Sequence, residues 1–144
     1  MVQRRADVIW EKDLLSGKGS VTVGSGSLRE FPVTWVSRTE DSGEKTSPEE
    51  LLAAAHASCY AMALSATLAR RRTPPERLEV TAICSFEKQT EGWKVTTSEL
   101  TVTGRITGLD QTGFEDAARV AEKSCPISNA IRNNVEIRLS AKLA

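Results

Sequence analysis

Residues 47–72 read SPEELLAAAHASCYAMALSATLARRR, and the fold turns on how this stretch is read. Ser47 stands as a helix N-cap, Pro48 takes the first helical position and Glu50 the third, which is a capping box with the favoured proline. The basic residues 70–72 suit the negative end of a helix dipole, and Pro74-Pro75 forbid continuation. Residues 51–69 carry no formal charge, a run as long as a membrane span. The run is mostly small residues, however, with Leu51, Leu52, Met62, Leu64 and Leu68 as its large aliphatics and His56, Ser58, Ser65 and Thr67 interrupting. It reads better as a helix that is apolar nearly all round and buried on most sides. A chain of 144 residues can enclose such a helix with a curved sheet and a second copy of itself, so a homodimer is expected and a membrane is not.

Outward from this helix the patterns are extended. Val21 and Val23 alternate with Ser20, Thr22 and Gly24, and Phe31, Val33 and Trp35 with Pro32, Thr34 and Val36. Period two predicts half-buried strands, and Pro32 puts its strand at a sheet edge. Residues 38–47 read as a polar loop. Downstream, Leu78, Val80, Ala82, Cys84 and Phe86 share one face of a strand, and a second strand runs from Trp93 to Ile106. Its apolar parity shifts between Val95 and Leu100, which predicts a bulge near residues 97–99. A helix opening on Thr112 and Glu115 carries Phe114, Ala117, Ala118 and Ala121 on one face, and a short helix follows Cys125-Pro126. A last strand points Val135, Ile137, Leu139, Ala141 and Leu143 inward. The class is α+β with a mainly antiparallel sheet, as one domain over residues 1–144.

Nineteen Lys plus Arg balance nineteen Asp plus Glu, so the chain has no basic excess of the kind nucleic-acid binding shows. Hydrophobic residues make up 40%, too many for a disordered chain. Three cysteines without a CxxC pair do not make a secreted disulfide scaffold, and the first residues, MVQRRADVIWEKD, lack a signal-peptide core. The expected location is cytoplasmic.

Cys84 lies on an apolar strand face and reads as a small hydrophobe. Cys59 continues the stripe Leu52, Ala55, Cys59, Met62, Ala66 among small neighbours, and Cys125 precedes Pro126 at a helix N-cap, where amide hydrogens favour a thiolate. Taken by themselves, the two residues fit core packing or a joint redox role.

The wording around them, Thr46-Ser47-Pro48-Glu49-Glu50-Leu51-Leu52-Ala53-Ala54-Ala55-His56-Ala57-Ser58-Cys59 and Cys125-Pro126-Ile127-Ser128, resembles the osmotically inducible protein C (OsmC) and organic hydroperoxide resistance (Ohr) family. The element order and the Gly17-Lys18-Gly19 turn agree over nearly the whole chain. Arg38, just before the helix, makes it closer to the OsmC branch. The resemblance implies an intertwined homodimer whose antiparallel sheets wrap long buried central helices, with active sites at the subunit interface. It implies a thiol peroxidase that reduces organic hydroperoxides to alcohols in oxidative or osmotic stress defence, without a cofactor or metal. Cys59 matches the attacking cysteine, Cys125 the resolving one, Arg38 the arginine that holds the thiolate and Glu49 the glutamate that orients it. A dithiol, of lipoyl type in the family, would be the reductant.

The chemistry suits these roles. An ordinary thiol is only a few per cent ionised at pH 7, and lowering its pKa by three units takes about 4 kcal/mol of thiolate stabilisation. A mid-helix Cys59 gains little from its own helix dipole, so a guanidinium is the natural source. Glu49 precedes Cys59 by ten residues, about 15 Å along a straight helix. Either the helix breaks near residues 53–57, or Arg38 and Glu49 act from the partner chain; the second is favoured. Glu50 belongs to the capping box. His56 reads as packing rather than a general base, and Ser128 as bonding backbone at the short helix. Two other functions remain open: a metal site from His56, Cys59 and Cys125, which lacks the fourth ligand of a structural zinc centre, and an apolar pocket that binds a hydrophobic small molecule without turnover.

Overall fold

The computed structural model describes residues 1–144 as β1 (Ala6–Glu11), β2 (Lys18–Val23), β3 (Phe31–Val33), α1 (Trp35–Thr39), α2 (Pro48–Arg70), β4 (Arg77–Gln89), β5 (Gly92–Arg105), α3 (Gln111–Ser124), α4 (Pro126–Ile131) and β6 (Glu136–Leu143). The long helix α2 starts as the sequence predicts, with Ser47 Oγ accepting from the Glu50 amide at 3.2 Å. It runs unbroken to Arg70. Its end is a Schellman motif: the Arg72 amide donates to the Ala69 carbonyl (3.0 Å), the Thr73 amide to that of Leu68 (3.0 Å), and Arg72 takes the left-handed position at φ +62°. Pro74 then closes off further helix.

The chain forms two compact units, Met1–Leu51 and Leu52–Ala144. The first holds an antiparallel sheet in the order β1-β2-β3, so Pro32 sits on an edge strand as expected. Gly19 of β2 pairs with Trp10 and Val33, and a Cβ there would stand 2.7 Å from the indole ring and from Val33 Cγ2. Only glycine lets the two strands flank it so closely. The strand expected to reach Trp35 and Val36 instead stops at Val33. Thr34 Oγ1 accepts from the Ser37 amide (3.0 Å) and Ser37 Oγ accepts from the Thr34 amide (2.9 Å), a reciprocal cap that turns residues 35–39 into α1 and shortens the expected loop. Strand β1 has all its side chains exposed and left no one-faced pattern to read.

The second unit is built on the sheet β4-β5-β6. β4 and β5 form an antiparallel hairpin, whereas β6 runs parallel to β5. The sheets are mainly antiparallel, as expected, and β6 is the exception: α3 and α4 carry the chain back along the sheet, so the last strand enters in the direction of β5. The bulge leaves Thr96 without a counterpart between Ser85 and Phe86, one residue before the predicted stretch. Helix α3 is capped by Asp110, whose Oδ1 accepts from the Gly113 amide (2.8 Å), and not by Thr112.

The core gathers Tyr60, Leu64 and Leu68 of α2, Leu100 and Val102 of β5, and Phe114, Ala117 and Ala121 of α3, with Cys125. The four α3 positions expected on one face are all buried. Helix α2 fully buries the stripe His56, Tyr60, Leu64, Leu68, whereas Leu52, Ala55 and Cys59 are half-buried and Met62 is 67% exposed. In one chain the helix is therefore not buried on most sides as expected: its flanks are half-buried and Ala54, Ser58, Met62 and Ala66 form an exposed stripe. By length and composition alone α2 could cross a membrane. Its buried stripe makes it the core helix of this unit.

Phe114 is fully buried, and its ring lies where a Cβ on Gly104 would stand, 2.7 Å from Cζ. Phe114→Ala removes the largest core side chain of α3 and is expected to destabilise the protein by about 3–5 kcal/mol. Urea unfolding measures this, and a loss below about 1 kcal/mol contradicts a rigid core at that ring.

Candidate active site

Helix α2 presents Cys59, half-buried, from its middle turns. At the α3–α4 junction Cys125 is fully buried and acts as the N-cap of α4: its Sγ accepts from the Ser128 amide at 3.5 Å, and Pro126 follows at the first helical position. The two thiols meet. Cys59 lies within hydrogen-bonding reach of the Cys125 side chain and accepts from the Ile127 amide. Consecutive amides of one helical turn therefore serve the two sulfurs, Ile127 for Cys59 and Ser128 for Cys125.

Burial pushes the Cys59 thiol up, the Ile127 amide pulls it down, and Cys125 raises it further, so the net direction is upward. Within one chain the neutral thiol is favoured, and ionising it calls for a further positive charge.

Arg38 and Glu49, both predicted site residues, also come together, within the Met1–Leu51 unit. Arg38 Nε donates to Glu49 Oε1 (3.0 Å) and Oε2 (3.1 Å), and Nη2 to Oε1 (2.8 Å). The carboxylate is 8% exposed and the guanidinium 30%. The Arg38 guanidinium also lies 5.9 Å from the centre of the Trp35 ring. Ser37 Oγ donates to the Thr46 carbonyl (3.2 Å), tying α1 to the segment that leads into α2. The break near residues 53–57 that would let Glu49 approach Cys59 within one helix does not occur.

His56 is fully buried, with Nδ1 2.7 Å from Ser98 Oγ and Nε2 2.7 Å from Ser128 Oγ. Burial and the Arg132 charge hold its pKa below the ordinary histidine value, against the opposing effect of Glu122. Both ring nitrogens are thus engaged by hydroxyls, which leaves the metal-site reading without its histidine. Ser128, expected to bond backbone, instead turns its hydroxyl to His56, because the ring ends within reach of the first turn of α4. Cys84 packs half-buried on β4 and donates to Ser98 Oγ at 3.6 Å.

The sequence reading did not single out Ser98 or the Ile127 amide. Ser98 shares its strand face with Leu100 and Val102, and all three are buried. A serine on a core-facing stripe needs a polar partner, and that was the available signal.

The family model described as OsmC-like protein matches residues 41–140. The chain belongs to the OsmC family. Among OsmC-family relatives, Peroxiredoxin OsmC of Escherichia coli (strain K12) is 33% identical over 142 residues, which is 98% of each chain. Organic hydroperoxide resistance protein OhrB of Bacillus subtilis (strain 168) is 27% identical over 126 residues, 86% of this chain and 89% of that one. The crystal structure of B. subtilis OhrB matches with a TM-score of 0.77 at 26% identity, covering 96% of this chain and 98% of that one. An organic hydroperoxide resistance protein OsmC from Legionella pneumophila matches at 0.75 and 27% identity, covering 99% and 98%. The matched stretch of the OsmC model contains Glu49, Cys59 and Cys125, and Arg38 lies just before it.

Proposed function

We propose that the chain is a thiol peroxidase that reduces organic hydroperoxides to alcohols. The observation that carries this reading is the neighbouring pair of free thiols, Cys59 half-buried and Cys125 buried beside it. The names of the relatives, a peroxiredoxin and an organic hydroperoxide resistance protein, point the same way.

The Cys59 thiolate attacks the terminal oxygen of ROOH. The O–O bond breaks, ROH leaves after taking a proton, and Cys59 becomes a sulfenic acid, oxidised by two electrons. The Cys125 sulfur then attacks the Cys59 sulfur, water leaves, and a Cys59–Cys125 disulfide results. A dithiol reductant, possessing two thiols that close into their own disulfide, returns both cysteines to thiols. Such a cycle suits a reducing compartment such as the cytoplasm.

The charge that ionises Cys59 is assigned to Arg38, held by Glu49, from a second copy of the chain. Ten residues of continuous helix separate Glu49 from Cys59, about 15 Å, which favours supply from a partner. A homodimer is supported by apolar side chains left bare in one chain: Ile9 (71% exposed), Val8 and Trp10 on β1, and Met62 on α2.

The test removes the resolving sulfur. Cys125→Ser should consume one equivalent of tert-butyl hydroperoxide at a rate near that of the unaltered protein and then stop as a sulfenic acid that a dimedone-type reagent traps. Multiple turnovers with a dithiol at the unaltered rate would remove Cys125 from the cycle.

A further inference from the structure

Three elements of the Leu52–Ala144 unit meet at His56. The ring comes from α2, Ser98 from β5 and Ser128 from α4, each hydroxyl 2.7 Å from one nitrogen. Ser128 is also the residue whose amide serves the Cys125 sulfur, directly after the amide that serves Cys59. A neutral imidazole has one donor and one acceptor, and the thiol on the far side of Ser98 decides which is which. Cys84 donates to Ser98 Oγ, and sulfur is a poor acceptor, so the Ser98 hydrogen points to Nδ1. The ring proton therefore stands on Nε2, aimed at Ser128 Oγ.

We propose that His56 is a positioning residue for disulfide formation: as the Nε2–H tautomer it clamps the first turn of α4 through Ser128 and so keeps Cys125 in bonding reach of Cys59. This rests on the peroxidase reading and assigns a residue to its second step. The ring nitrogens of His56 bond to hydroxyls and to neither sulfur. Its effect passes through the Ser128 hydroxyl to the turn that carries Cys125. Bond formation between two side chains on different helices is sensitive to displacements of about 1 Å, whereas attack on a diffusing peroxide draws on α4 only through the Ile127 amide, which affects how far Cys59 is ionised.

Two substitutions separate the ring's two ends. A glutamine amide reaches where Nε2 stands and keeps the donor to Ser128; an asparagine amide ends near Nδ1 and does not. After one equivalent of tert-butyl hydroperoxide, sulfenic-acid trapping follows attack and mass mapping follows the disulfide. In His56→Gln the disulfide should form within about threefold of the unaltered rate, and in His56→Asn and Ser128→Ala about tenfold or more slowly. Attack, compared at a pH where Cys59 is fully ionised so that the Ile127 amide no longer sets the thiolate fraction, should change by no more than about threefold in all of them. Equal disulfide rates in the Gln and Asn variants, or attack and disulfide formation slowed together, would overturn the proposal. A second measurement needs no variant. His56 is the only histidine, so ¹⁵N-histidine labelling gives one imidazole spectrum, and it should show the proton on Nε2. A proton on Nδ1 overturns the proposal. If the unaltered protein attacks peroxide but never joins Cys59 to Cys125, the peroxidase reading falls and this one with it; a normal disulfide with the wrong tautomer sinks this one alone.

Discussion

Cys59→Ser is expected to lower organic hydroperoxide consumption by at least about a thousandfold, because an alcohol at that position does not ionise near neutral pH and no other group supplies the electron pair. Neither remaining cysteine takes over. Cys125 is fully buried and held by the Ser128 amide, and Cys84 is tied to Ser98 on β4. The measurement is tert-butyl hydroperoxide loss with a dithiol donor, alongside circular dichroism to show an unchanged fold. The swap replaces one atom at a half-buried site, so folding should survive it. Retained turnover would place the nucleophile elsewhere.

The second large effect belongs to Arg38. Within one chain, burial and Cys125 push the Cys59 thiol upward and only the Ile127 amide opposes them. A cation beside the sulfur favours the charged form, so it lowers the pKa and enlarges the thiolate fraction at pH 7. Removing it works in reverse. Arg38→Ala should move the pH profile of Cys59 alkylation to higher pH and lower the peroxide rate at pH 7 by about thirtyfold, because an ordinary thiol is only a few per cent ionised there. The rate should recover as pH rises toward the new value. Arg38→Lys should restore only part of it, because an ammonium cannot reproduce the bidentate grip on Glu49. An alkylation profile that does not move would refute the role assigned to Arg38.

What was legible in the chain was what repeats locally. The Ser47-Pro48-Glu50 start of α2, the buried face of α3 and the alternation of β6 each follow from spacing within a dozen residues, and each is observed. Cys125 as an N-cap was legible for the same reason, since Pro126 marks the first position of a helix. The misreadings arise where a short signal competed with a longer one. Thr34 and Ser37 cap α1, yet the period-two run Phe31, Val33, Trp35 reads as strand until the reciprocal hydrogen bonds are seen. The parallel pairing of β6 is a property of the α3–α4 crossover and has no local mark.

At the site the asymmetry is similar. The resemblance of residues 46–59 and 125–128 to one family pointed to Cys59 and Cys125, and the fold brings their sulfurs together across a long stretch of chain. Which face of α2 packs was not legible, because a run of alanines offers every face as apolar; the large side chains Tyr60, Leu64 and Leu68 choose it. The link from His56 to Ser98 and Ser128 joins three distant segments, and no spacing rule encodes it.

The account stands or falls on two sulfurs that bond to each other when peroxide arrives. The reduced protein is treated with one equivalent of tert-butyl hydroperoxide, its remaining thiols are alkylated, and peptides are mapped by mass spectrometry without reduction. The account predicts a Cys59–Cys125 disulfide within one chain and an alkylated Cys84. A disulfide that includes Cys84, or all three thiols unchanged after the peroxide has been offered, would contradict it.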